Sequence, residues 1–213
     1  MPRPPHNCDT PPAKERMHDA FWQLLKERDY STITVTDIVR RAGVNRNSFY
    51  YHFSGLPELA DSSILQLVES TKISLPGPDA DPNSTWRENV THMLSSPAQR
   101  ERLDRLALLA GPHSSSELLE SLRDFTRLTV LSFLQLDANN LDLDTDLLLD
   151  FAVGGMLAIL RRWPELCDTI SIDDLLNQDV AVLAMGLYLS MSKSDMKSSW
   201  ERIFHAQSPR TEA

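Results

Sequence analysis

Apolar residues recur at helical intervals along nearly the whole chain, and sustained alternation of apolar and polar positions is almost absent. In AKERMHDAFWQLLKE, Met17, Phe21, Leu24 and Leu25 fall on one stripe, which predicts a helix over residues 13–27 with a single buried side. Trp22 and Tyr30 are placed to finish the same small core. Residues 33–53 read as two short helices joined by a tight turn. Thr34 stands three residues before Asp37, the spacing at which a hydroxyl and a carboxylate satisfy each other's orphan amide donors. Val35, Ile38 and Val39 give that helix an apolar side. Gly43, in Ala42-Gly43-Val44, allows the positive φ that ends it. Asn45 then caps a helix from Arg46 to about Phe53. Phe49 and Phe53, four apart, pack inward and leave Arg46, Asn47, Tyr50 and Tyr51 on the remaining surface.

Ser54 is positioned to cap a fourth helix with Pro57 in its first turn, where a missing amide proton is harmless. Leu56, Ala60, Ile64, Leu67 and Val68 form its buried side, and it should end before Pro76-Gly77-Pro78. Further capped helices follow. Thr85 with Glu88 opens one striped by Trp86, Val90 and Met93. Ser96-Pro97-Ala98-Gln99 opens another, which stops at Gly111-Pro112. Ser114 with Glu117 begins a long one through Leu118, Leu122, Phe125, Leu128 and Leu131 or Leu136, ending near Asp137. Residues 146–163 form the next, ended by Trp163-Pro164, and Ser171 with Asp174 caps a helix reaching Leu189. Met196, Trp200, Ile203 and Phe204 predict a short amphipathic helix in an otherwise polar tail.

The expected fold is therefore all-α, with about nine to ten helices. The expected domains are a flexible arm (1–12), a small head with its connecting helix (13–74), a linker (75–84), a larger body (85–191) and the tail (192–213). The helix DLLLDFAVGGMLAILRRW carries one acid, Asp150, between Leu147 and Leu160, so it demands burial on more than one side. Gly154 and Ala158 would let another helix approach closely. The economical solution is a homodimer in which the last two major helices form a four-helix bundle with their copies. Phe151, Gly154, Gly155, Ala158, Val180, Leu183 and Leu187 are the interface candidates.

Composition changes this picture little, but charge refines it. Cys8 and Cys167 have no C-x-x-C spacing, so neither a disulfide framework nor a zinc module is expected. The longest apolar run, residues 151–160, is too short to cross a bilayer, and MPRPPHNCDTPP lacks a signal-peptide core. A soluble, cytoplasmic chain without membrane contact is expected. Glycine-rich phosphate loops, nucleophile elbows and metal-ligand clusters are missing from the sequence, and His92 and His113 have no third ligand at a useful interval. An enzyme, a cofactor and a bound metal are all disfavoured. The net charge of −9 is unevenly spread. Residues 1–60 hold 8 Lys/Arg against 7 Asp/Glu, and the remainder holds 13 against 23. A near-neutral head on an acidic body weakens diffuse attraction to phosphates yet leaves local contacts intact.

The run TVTDIVRRAGVNRNSFYYHF resembles the N-terminal helix-turn-helix of the TetR family of bacterial transcriptional regulators, with its Thr-x-x-Asp-Ile helix, Ala-Gly-Val turn and Phe-Tyr-x-His-Phe ending. The resemblance covers about the first quarter of the chain. It implies a DNA-binding head, a double-stranded operator of palindromic form, a homodimeric body, and an unidentified small-molecule effector that releases a repressor. A helix of eight residues rises about 12 Å, close to the major-groove width. Arg46 and Asn47 are candidates for base edges, Arg46 equally for a phosphate. Ser48, Tyr50 and His52 are candidates for phosphates, Tyr50 and His52 at positions that do so in the family. Thr34 and Thr36 could anchor a phosphate or reach a base, and Tyr51 a thymine methyl or the backbone. The effector pocket would draw on Trp86, His92, Met93, His113, Phe125 and Phe151. The sequence departs from the family at Gly55-Leu56-Pro57, where a lysine or other polar residue commonly holds a phosphate. That departure and the acid balance keep open a dimeric TetR-like protein with weakened DNA binding that acts through a protein partner.

Overall fold

The computed structural model describes residues 11–70, 84, 87–88, 91–92, 95–134, 136–167, 169, 171 and 174, and only the backbone of Phe133. Among these residues the regular elements are all helical. They are α1 (Ala13–Glu27), a 3-10 turn at Tyr30–Thr32, α2 (Val35–Ala42), α3 (Arg46–His52), α4 (Leu56–Ser70), α5 (Pro97–Leu108), α6 (Ser116–Phe133) and α7 (Leu143–Leu166). Residues 84, 87, 88, 91, 92 and 95 are helical as well. Two compact units divide the chain: Met1–Thr71 with Arg102–Phe125, and Lys72–Glu101 with Thr126–Ala213. Residues 1–10 of the expected arm, residues 75–83 of the linker, Thr85, Trp86, Val90 and Met93, and the chain beyond Asp174, with Val180, Leu183 and Leu187, lie outside the described residues, while Ser84, expected in the linker, is helical. Ser171 and Asp174 do form their capping box, the Ser171 Oγ accepting the Asp174 amide at 3.1 Å and the Ser171 amide reaching Asp174 Oδ2 at 2.9 Å.

In the first unit α1 is the element against which α2, α3 and α4 all pack. Met17, Phe21, Leu25, Ile38, Phe49, Leu59 and Ile64 are fully buried there. Each large apolar side chain removed from water contributes about 1.5–3 kcal/mol, which is what holds three short helices in place. Phe21 meets Trp22 and Tyr30 edge-on, at 4.9 and 6.4 Å between ring centroids. Within the same unit, Leu106, Ala107, Leu109, Leu118 and Leu122 are also buried. Polar ties fix this segment to the first four helices: Arg105 to Asp19 at 3.0 Å, Arg102 to the Ser70 carbonyl at 2.9 Å, and Ser121 to Asp61 at 2.8 Å. His113 adds two more, its carbonyl accepting the Tyr30 amide at 2.9 Å and its Nδ1 lying 2.6 Å from Asp29.

One polar chain crosses this core. His18 Nδ1 lies 2.6 Å from Ser63 Oγ, and the Ser63 hydroxyl donates to the Leu59 carbonyl at 2.7 Å. Because the single hydroxyl proton of Ser63 is committed to Leu59, His18 Nδ1 must be the donor, which fixes its tautomer. Burial of the imidazole, reinforced by the charge of Lys14, lowers its pKa to about 4, so it is neutral in the folded chain.

In the second unit Leu131, Leu149, Ala152 and Val153 form the core, with Val130, Leu148, Met156 and Leu157 packed against it. Arg127 forks to Asp146 and to Asp150, the latter at 2.7 Å. Several boundaries differ from the pattern's expectation. Helix α4 opens at Leu56, not after a Ser54 cap: its first rung is the Leu59 amide to the Gly55 carbonyl, and Glu58 instead accepts the Ser54 amide at 2.6 Å. Helix α6 is capped by Ser115, whose hydroxyl accepts the Leu118 amide at 3.3 Å, one residue later than Ser114. Helix α7 begins earlier than Asp146 because Asp142 accepts the Thr145 amide at 2.8 Å. It also runs through Pro164 to Leu166. A proline in a last turn forfeits only one rung, and the Cys167 amide still reaches the Trp163 carbonyl at 2.8 Å beside a buried indole.

Candidate nucleic-acid interface

The turn between α2 and α3 is built from contacts within a few residues. Thr34 and Asp37 make the full capping box, the Asp37 amide donating to Thr34 Oγ at 3.3 Å and the Thr34 amide to Asp37 Oδ2 at 3.1 Å. The Thr34 hydroxyl also donates to Asp37 at 2.6 Å, and Arg28 pairs with the same carboxylate at 2.9 Å. These bonds, Thr34's first and Arg28's next, pull the Asp37 carboxyl down to about 2. At the other end Gly43 takes φ 61°, a left-handed conformation that a side chain would strain. Arg16 closes this end from α1, donating to the Ala42 carbonyl at 2.8 Å and to that of Gly43 at 3.2 Å. Asn45 then accepts the Ser48 amide at 2.7 Å and starts α3.

Buried Phe49 and Phe53, whose rings lie 5.8 Å apart, anchor α3 from behind. Arg46, Asn47, Tyr50 and Tyr51 are exposed, Tyr51 to 84%. Arg46 Nη2 lies 3.3 Å from the Tyr50 hydroxyl, and its guanidinium carbon lies 5.7 Å from the ring centroid, so the two side chains form one i, i+4 unit. Ser48 and His52 are half-exposed on the same short helix. Thr36 is exposed on α2; Thr34 is exposed too, but its hydroxyl and amide protons both go to Asp37. Arg41 is turned to Glu27, forked at 2.6 and 2.8 Å, as a solvated structural pair.

The sequence pattern carries no sign of Arg16, Arg28 or the His18–Ser63 pair, because their partners are 26, 9 and 45 residues away. The one available signal was position: His18 and Ser63 each interrupt an otherwise apolar stripe.

The residues named for an effector pocket belong to both units or lie outside the described residues. Trp86 and Met93 lie outside the described residues. His92 is exposed, its Nε2 3.4 Å from Gln99. His113 serves Asp29 and Tyr30 in the first unit, Phe125 is half-buried, and Phe151 is 63% exposed. On α7, Gly154, Gly155 and Ala158 are exposed in the single chain, with Leu147, Phe151 and Ile159 beside them. Among the described residues no group of three His, Cys, Asp or Glu could hold a metal, and no helix is long and apolar enough to cross a membrane.

Two short helices meeting at a left-handed glycine, the second backed by buried phenylalanines and open along its polar side, define a helix-turn-helix head on a chain whose described elements are all helical. Residues 19–61 match the family described as bacterial regulatory proteins, tetR family. The match lies within this head, which is similar to the corresponding segment of that family. It is 30% identical over 96 residues to the HTH-type transcriptional regulator AcrR of Shigella flexneri, a match that takes in 42% of this chain and 43% of the relative. The chain thus spans less than half the length of that relative. The fold is similar to that of a TetR transcriptional regulator from Streptococcus agalactiae 2603V, with a TM-score of 0.51, 23% identity, and coverage of 80% of this chain and 92% of the other. It is similar also to the fatty acid degradation regulator FadR from Bacillus halodurans, with a TM-score of 0.54, 17% identity, and coverage of 83% and 96%.

Proposed function

We propose that the protein is a DNA-binding transcriptional regulator, a repressor that binds a palindromic operator as a homodimer and is released by a small molecule. The observation that carries the DNA-binding reading is the open row of Arg46, Asn47, Tyr50 and Tyr51 on a helix locked from behind by Phe49 and Phe53. A helix of this length fits the major groove, and guanidinium and amide side chains at its N-terminal end match the edges of guanine and adenine. Tyr50, His52 and Ser48, on the same helix, are the candidates for phosphate contacts. The exposed apolar and small residues of α7 support a two-fold interface, since so much apolar surface on one helix needs a cover. Release by an effector rests on the family resemblance and requires a ligand that favours one arrangement of the two heads over another.

A second reading has one observation in its favour: Glu58 occupies the Ser54 amide at the start of α4 and puts a carboxylate where a phosphate would otherwise be received. In that reading the DNA affinity is weak and a protein partner carries the signal. Binding of the wild-type protein and Arg46→Ala to duplex DNA separates them. If Arg46 reads guanine, the substitution weakens the preferred duplex by about 1–3 kcal/mol and leaves unrelated duplexes nearly unchanged. Uniform weakening reassigns Arg46 to a phosphate, and no salt-dependent binding by the wild type favours the partner-based reading.

A further inference from the structure

The stretch from Asn45 to Glu58 contains one lysine or arginine, Arg46, at the first turn of α3. At the opposite end of that helix the chemistry is different. Phe53 ends α3 and is buried, and Lys14, from the first turn of α1, lies with its Nζ 5.9 Å from the Phe53 ring centroid. Lys14 is exposed, and no carboxylate among the described residues lies within ion-pair distance of it. It differs in this from Arg28 and Arg41 at the far end of α1, each paired with an acid. An aromatic face orients an ammonium group without neutralising it, so all three of its protons remain available to an anion. The nearby Ser54 amide is already taken by Glu58, so the backbone at the start of α4 does not offer that donor.

We infer that Lys14, set against Phe53, contacts a DNA phosphate beyond the C-terminal end of α3, so that the recognition helix is flanked by a positive charge from a different helix at the end Arg46 does not reach. The assignment rests on the DNA-binding reading above. Lys14 touches no base-reading side chain, so its contribution is electrostatic and independent of sequence.

The test is the salt dependence of duplex binding by the full chain, for the wild type, Lys14→Gln and Lys14→Arg. A phosphate contact releases condensed counterions, and each one contributes about 0.9 to the slope of log K against log salt on duplex DNA. Between about 50 and 200 mM salt, Lys14→Gln is expected to lower that slope by about one, and to weaken binding by about 3- to 10-fold on specific and random duplexes alike. Lys14→Arg is expected to retain both, and the thermal midpoint of Lys14→Gln to stay at that of the wild type. A Lys14→Gln slope equal to the wild-type slope, or a loss confined to one duplex sequence, overturns the assignment while leaving DNA binding in place. A wild-type protein with no salt-dependent binding overturns the DNA-binding reading and the assignment with it.

Discussion

Arg46 and Tyr50 face outward as a pair, while His18, on the inside of the same unit, carries the clearest titration. Its neutral form donates to Ser63, and its pKa is lowered to about 4 from an ordinary value of 6.5. A lowered histidine value means the unfolded chain takes up a proton first. The stability that neutral His18 confers is therefore complete above pH 6.5 and is lost as the pH falls toward 4. Denaturant titrations across that window should show stability declining by no more than about 1.4 kcal/mol per pH unit from this group. The decline should be shallower in His18→Gln; an identical pH profile in the two proteins would show that His18 does not titrate in this way. This pair was hidden from the sequence pattern because 45 residues separate its members. Thr34 with Asp37, Gly43 and Asn45 were legible because each acts on a backbone group within three or four residues.

At the scale of the element, α2 and α3 are too short to be stable in isolation, so their capping and anchoring decide whether the open row stands up. The Thr34 box is worth about 0.5–2 kcal/mol, and Thr34→Ala is expected to lower unfolding free energy by about 1 kcal/mol in urea titration. A loss below about 0.3 kcal/mol would contradict the capping role, since replacing a working cap costs more than that. Asp37's carboxyl, lowered to about 2, keeps its contribution above pH 3.8 and loses it only as the pH falls toward 2. Helices α2 and α3, with Thr34, Gly43 and Asn45 at their ends, match their expected bounds, and α1 does so without a side-chain cap. The end of α7 does not: the helix runs through Pro164 to Leu166 beside a buried Trp163, and Arg100, 67 residues away, donates to the Cys167 carbonyl just beyond it. The start of α4 differs by one residue: the Ser54 amide donates to Glu58, and the first rung of the helix is accepted by the Gly55 carbonyl.

At the scale of the whole molecule the proposal needs two heads, hence two chains. Phe151 and Ile159 are 63% and 59% exposed on α7 in the single chain. Phe151→Glu combined with Ile159→Glu is expected to convert the dimer to monomer in sedimentation velocity, with helicity by circular dichroism unchanged and operator affinity lost. A double variant that remains dimeric would move the interface away from this face. The fold class was legible because helical periodicity is written along the whole chain. An effector pocket is not legible in the same way, because a cavity is formed by several helices together and no spacing along one of them encodes it. Selection of bound duplexes from a random pool tests the central proposal most directly. The expected result is enrichment of a two-fold symmetric sequence whose half-sites lie about one helical turn, or about 34 Å, apart, abolished by removing the Arg46 and Asn47 side chains. A pool that stays random, or an enriched site that survives loss of both residues, would contradict it.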